Sequence, residues 1–242
     1  LKELDCNFRY TAVLGILSRE QFTSQVKRYL KIGFDDFKIK LSGKYQLDKD
    51  NIKHLITTNS NLKLRLDANN LWADWRSAAD YIKKLDFDCV GVEEPLHCGD
   101  FEGMKKFTKS TNTPVIVDES FSRLEHLEHI KSNPKNWVIN LRISKMGGIL
   151  RSIEIANQAK ILGLPIIIGA QVGETSILTR AALSIANHYR DIVIAQEGAF
   201  GTYLLEKDIT DNPITFGKNG VLESSTIVNN GNGWGIKVSI SK

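Results

Sequence analysis

LKLRLDAN, residues 62–69, is an apolar run that closes on a carboxylate and an amide. The same design recurs at CVGVEEP (89–95) and PVIVDES (114–120), and DFKIK (36–40) precedes it with a lysine pair. Each run is short, β-rich and nearly continuously apolar, as parallel strands buried on both faces must be. Working outward adds strands at YTAVLGI (10–16), WVINLRI (137–143), LPIIIG (164–169) and DIVIAQ (191–196). Between them lie amphipathic stretches at 19–33, 47–58, 77–85, 101–110, 122–131, 148–163 and 176–189. Eight strands alternating with seven helices over short connections predict a parallel sheet closed into a TIM-like (β/α)7β barrel over residues 1–212. No G-x-G-x-x-G follows the first strand, which removes the usual dinucleotide reading. From Pro213 to Lys242 the pattern breaks into a C-terminal extension. There ITF, GVLE and GIKVSI read as short extended pieces joined by Asn/Gly-rich turns such as NNGNGWG (229–235).

Composition narrows the function classes. The 242 residues are 42% apolar and 25% charged, ordinary for one substantial core. A net charge of +4 without a basic run gives no footprint for nucleic acid. Cys6, Cys89 and Cys98 form no C-x-x-C pair, so a reducing compartment, the cytoplasm, is expected. No run approaches the ~20 apolar residues of a membrane span, and nothing at the start reads as a signal peptide.

The charges fall at one end of the predicted barrel, the C-terminal ends of the strands, where such folds carry their sites. Asp67, Glu93 and Asp118 follow one another at 26 and 25 residues, one βα unit each. Three carboxylates at equivalent ends of adjacent strands converge, and oxygen-only ligation suits Mg²⁺. The plainer alternative is that each acid caps the next helix, and that Lys38 and Lys40 line a solvated strand edge.

KIK, DAN, EEP and DES, in that order and spacing, resemble the barrel domain of the enolase superfamily, most nearly its mandelate racemase and muconate-lactonizing branch. The resemblance implies a small carboxylate substrate and Mg²⁺ on Asp67, Glu93 and Asp118. It gives Glu94, Glu119 and Asn69 supporting roles. Lys40 becomes the general base, with Lys38 beside it lowering its pKa or touching the substrate carboxylate. Proton removal next to a carboxylate makes an enediolate, whose doubled charge needs a divalent cation. A lysine doing this near neutrality must fall from about 10.4 to about 7–8, on the order of 4 kcal/mol.

The family pattern is broken in two places. On strand six, relatives carry a lysine where INLRISKMGG (139–148) has Arg142; Lys145 is three residues on and off that face unless the strand ends before it. Arginine stays charged and makes a poor second base, though it clamps carboxylates well. After strand eight, relatives that epimerise dipeptides show Asp-x-Asp, whereas here Glu197 stands alone. Glu174, after strand seven, is expected either to contact substrate or to cap the following helix. These departures favour a one-base cycloisomerase or dehydratase over a dipeptide epimerase or racemase. A barrel that binds metal without catalysis, or a metal-free Schiff-base aldolase, remain as alternatives. The resemblance also implies a homo-oligomer. The N-terminal α+β capping domain of relatives is not part of the pattern, and the C-terminal extension over 213–242 corresponds to the segment that in relatives packs back on that domain.

Overall fold

The structure, a computed structural model, describes residues 3–59, 61–227 and 233–239. In chain order the elements are β1 (Phe8–Arg9), β2 (Ala12–Leu14), α1 (Arg19–Ile32), β3 (Asp36–Lys40), α2 (Tyr45–Thr58), β4 (Lys63–Asp67) and α3 (Trp75–Leu85). They continue through β5 (Gly91–Glu93), α4 (Phe101–Thr111), β6 (Val115–Val117), α5 (Leu127–Ile130), β7 (Trp137–Leu141) and α6 (Ile149–Leu162). β8 (Ile166–Ile168), α7 (Ser176–His188), β9 (Val193–Gln196) and β10 (Val221–Leu222) complete the order.

Local chemistry sets the boundaries. Ser18 and Gln21 form a reciprocal capping box at the start of α1, and Gly33 ends that helix at φ 102°, a left-handed conformation that costs glycine little. Asp74 caps α3 through the backbone N–H groups of Arg76 and Ser77. Asp48, buried in the first turn of α2, accepts from Ser42 N and Gly43 N and so ties down the loop after β3.

β2 to β9 form one eight-stranded parallel sheet in sequence order, and Thr11 N donates to Gln196 O at 2.8 Å, bringing its first and last strands together. Alternation divides the side chains. Phe37, Ile39, Leu64, Leu66, Val92 and Ile139 join the large apolar cluster shared with the helices. The opposite faces point along the barrel axis. There Ile116, Val138 and Ile167, with Ala195, form a small separate cluster, and the remaining positions are charged.

One expectation is corrected. The helix expected over 122–131 is a 3-10 turn, Leu124–His126, followed by the single turn of α5. Pro134 excludes helical geometry from Asn133, and Leu127 and Ile130 alone bury a face, which is too little for a longer helix. In the extension GVLE does supply the short strand expected of it: β10 pairs antiparallel with β1, a two-residue element too short to show a period. Among the described residues no α-helix follows β9. Phe200, Tyr203 and Phe216 pack there with Tyr29 and Phe34, ring centroids 4.9–6.4 Å apart. Val238 bridges Thr210, while most of NNGNGWG and the end of GIKVSI lie outside the described residues. Among the described residues no helix is long and apolar enough to cross a membrane.

Candidate active site

Parallel register assembles the site. Lys40 is level with Asp67, and Asp67 with Glu93, so three side chains form one row across β3, β4 and β5. Lys38 and Arg65 form the row beneath. Asp118 sits just past β6. Lys38 is buried, its Nζ 2.8 Å from Glu197, 3.1 Å from Glu93 and 3.6 Å from Asp67. Burial alone would lower its pKa, but Glu197, Glu93 and Asp67 outweigh that and hold it above the ordinary lysine value. Its ammonium charge is met by these three carboxylates. Lys40 reaches the mouth, donating to Asn69 Oδ1 at 3.0 Å and lying 3.6 Å from Asp67. Asn69, at φ 44°, is held in turn by its own N–H on Asp67 Oδ1.

Arg142 and Lys145 both reach Asp118. β7 stops at Leu141, and a turn closed by Met146 N on Arg142 O and Gly148 N on Ile143 O swings Lys145 inward. Its Nζ binds the Asp118 carboxylate and main-chain oxygen. Burial first, then the Arg142 charge, lowers Lys145 to about 8. Arg142 pairs with Asp118, lies 3.9 Å from Glu93 and 4.0 Å from Glu119, and donates to Gln171 at 3.2 Å. Gly169 makes room for this: a Cβ there would overlap Asn140 Oδ1 and press on Arg142 Cγ. Glu94, fully buried at φ 40°, accepts from Asp118 N, Ser120 N and Ser120 Oγ, and so fixes the chain that presents Asp118. Burial pushes its carboxyl up to about 7, against the Ser120 hydrogen bonds.

Sequence reasoning missed four groups. Arg65, on β4, binds Asp36 at 3.0 Å and Glu197 at 3.2 Å, and it also reaches Thr11. Asn140 Nδ2 donates to Glu93 at 3.0 Å. Arg65 has the same strand parity as Asp67, so strict alternation would have exposed it. Glu197 is consequently a buried counter-ion of Lys38 and Arg65. Glu174 caps no helix: its Oε1 accepts from Gln171 N, and Asp208 instead receives Ser176 N at the start of α7. Trp72 packs on Tyr81 at 5.0 Å and Trp75 against the core, away from the mouth. His129 stacks on Phe101.

The mouth holds a cavity of 310 Å³ with two characters. Its lining mixes charged groups, Lys38, Lys40, Asp67, Arg142, Glu174 and Glu197, with apolar ones such as Leu17, Val172 and Phe200.

The family match is decisive on extent: residues 21–242 fit the description "Enolase C-terminal domain-like". The chain belongs to this family. Among its relatives, the hydrophobic dipeptide epimerase of Enterococcus faecalis is 31% identical over 229 residues, 93% of this chain and 62% of that protein. The L-Ala-D/L-Glu epimerase of Bacillus subtilis is 31% identical over 210 residues, 84% of this chain and 56% of that one. The crystal structure of the Enterococcus faecalis dipeptide epimerase with Mg and L-Leu-L-Tyr superposes with a TM-score of 0.83 at 27% identity, covering 96% of this chain and 64% of that chain. This chain thus spans about six-tenths of the length of these relatives. They are dipeptide epimerases, the group that Arg142 and the lone Glu197 speak against in the sequence.

Against the enolase-family metal, the donor set is chemically apt. Asp67, Glu93 and Asp118 offer only carboxylate oxygens, and buried Asp118 Oδ2 accepts no aligned hydrogen bond. The spacing is that of a cluster neutralised from within. Among the described residues no three His, Cys, Asp or Glu side chains are drawn together as a metal site, because Lys38, Arg142 and Lys145 stand between them.

Proposed function

We propose that this chain is the barrel of an isomerase that removes and returns a proton at the carbon next to a carboxylate, with dipeptides or N-acylated amino acids as its substrates. The observation that carries this is the convergence of Lys40, Asp67 and Arg142 on one cavity, with Lys40 3.6 Å from Asp67 and Arg142 3.9 Å from Glu93 and paired with Asp118. Arg142 presents paired N–H donors suited to the substrate carboxylate. Lys40 Nζ, steadied by Asn69, is placed to take the α-proton in its neutral form. The apolar lining of the cavity accommodates a side chain or acyl group. Asp67, Glu93 and Asp118 would hold Mg²⁺, which would supply divalent charge against the charge that builds on the substrate carboxylate. The epimerase relatives support the substrate class.

Arg142 favours a second reading. Returning a proton to the opposite face needs a second group that can gain and lose it, and guanidinium does neither near neutral pH. On that reading Lys40 works alone, in cycloisomerisation or dehydration.

The test is NMR in D₂O with Mg²⁺ and the enzyme at its full encoded length. Substrates are L-Ala-L-Glu, L-Leu-L-Tyr, N-succinyl amino acids and muconate-type diacids. Deuterium at the α-carbon together with the second diastereomer supports epimerisation. Deuterium with retained configuration, or loss of water or ring closure, supports the one-base reading. Absence of Mg²⁺-dependent exchange across all four classes contradicts the proposal.

A further inference from the structure

Arg142 stands where three carboxylates meet, paired with Asp118 and 3.9–4.0 Å from Glu93 and Glu119. Its charge is permanent, so pH does not move it off them. Two of these carboxylates, Glu93 and Asp118, are the ones assigned above to the divalent cation. A cation seated on Asp118 Oδ2 would meet the Arg142 guanidinium, which pairs with that oxygen and stands 3.9 Å from Glu93 Oε1, and two positive charges repel at that separation. We propose that Arg142 is a tethered competitor for the divalent cation: a metal ion binds Glu93 and Asp118 only as the guanidinium leaves them. The inference rests on the assignment of Asp67, Glu93 and Asp118 as the cation's ligands.

The geometry says which cation yields. Lys145 is tied to the Asp118 carboxylate and main-chain oxygen, with Asn140 O at 3.4 Å, and it does not line the mouth. Arg142 does line it. Its Nε is buried without a hydrogen-bond partner, so the present pose leaves one donor unsatisfied and is the more readily given up. Gly169, with no Cβ, leaves room beside Arg142 Cγ that any other residue would fill. A competitor that covers the carboxylates about nine-tenths of the time weakens apparent metal affinity about tenfold.

Mn²⁺ titration of the metal-free protein, with free Mn²⁺ read by electron paramagnetic resonance, tests this without any turnover. Circular dichroism melts check that each variant is folded. Arg142→Gln is expected to bind Mn²⁺ about tenfold more tightly than the wild type. Arg142→Lys, which keeps the charge on a thinner, single-pronged group, is expected to fall between them, and it carries the test should the glutamine variant not fold. Asp118→Asn is expected to abolish or strongly weaken binding. Unchanged or weaker affinity in the folded Arg142 variants, with Asp118→Asn still defective, would overturn the competition while leaving the cation site standing. Binding that is indifferent to Asp118→Asn, or absent from every variant, would remove the site assignment and the proposal with it.

Discussion

Ile116, Val138 and Ile167 fill one half of the barrel axis, while Asp36, Lys38, Arg65, Asp67, Glu93 and Glu197 fill the other, all of them buried. The apolar half needs only volume. The charged half needs every partner in place, because a buried ion without its counter-ion is far costlier than a small void. Arg65 and Lys38 share Glu197, so the column beneath the mouth is one connected unit. Such a unit adds little net stability compared with well-packed hydrocarbon. What it does is hold the rows that carry Lys40, Asp67 and Glu93 in register at the mouth.

The contrast is broken most directly at Arg65. Arg65→Met leaves Asp36 buried with its cation gone and Glu197 with Lys38 alone, and urea unfolding is expected to show a loss of about 3–5 kcal/mol. A loss below about 1 kcal/mol would mean that the column tolerates an unpaired acid as easily as hydrocarbon, which the account does not allow.

Asp208 sharpens the comparison from outside the axis. It is a buried acid satisfied by neutral donors, namely the backbone N–H and hydroxyl groups of Ser176 and Thr210. Burial pushes its carboxyl up, but those hydrogen bonds outweigh it and hold the group below the usual carboxylate value. Its contribution is therefore complete above about pH 4, the unfolded value, and is lost as pH falls through the lower folded value. Asp208→Asn is expected to cost about 1–3 kcal/mol at pH 7. The gap to the wild type should narrow below about pH 4; a gap constant from pH 7 to pH 3 would contradict the assignment. Smallest of all, Ile167→Val in the apolar half is expected to cost about 0.5–1.5 kcal/mol with no pH dependence, read from the same titrations.

The same two halves explain what the sequence displayed. Apolar runs with a fixed period made all eight sheet strands legible, and DFKIK coincides with β3 residue for residue. The carboxylates at 67, 93 and 118 announced themselves by their spacing. Arg65 did not, because an arginine in a strand ordinarily means solvent and only its parity with Asp67 betrays it. The reach of Lys145 depends on where β7 ends, and that is decided by the turn at 143–148, whose glycines Gly147 and Gly148 take φ of 84° and 108°. The pairing of β1 with β10 spans more than two hundred residues between two-residue strands, beyond any local pattern.

The most direct test of the central claim is deuterium exchange at the substrate α-carbon by Lys40→Ala, on whichever dipeptide or N-acyl amino acid the wild type labels. Lys40 lies at the mouth with its side chain 36% exposed, so its removal should leave the melting temperature close to that of the wild type. The account predicts a fall in exchange rate of about 10²–10⁴-fold, the contribution of a positioned general base. Wild-type exchange in folded Lys40→Ala would contradict it.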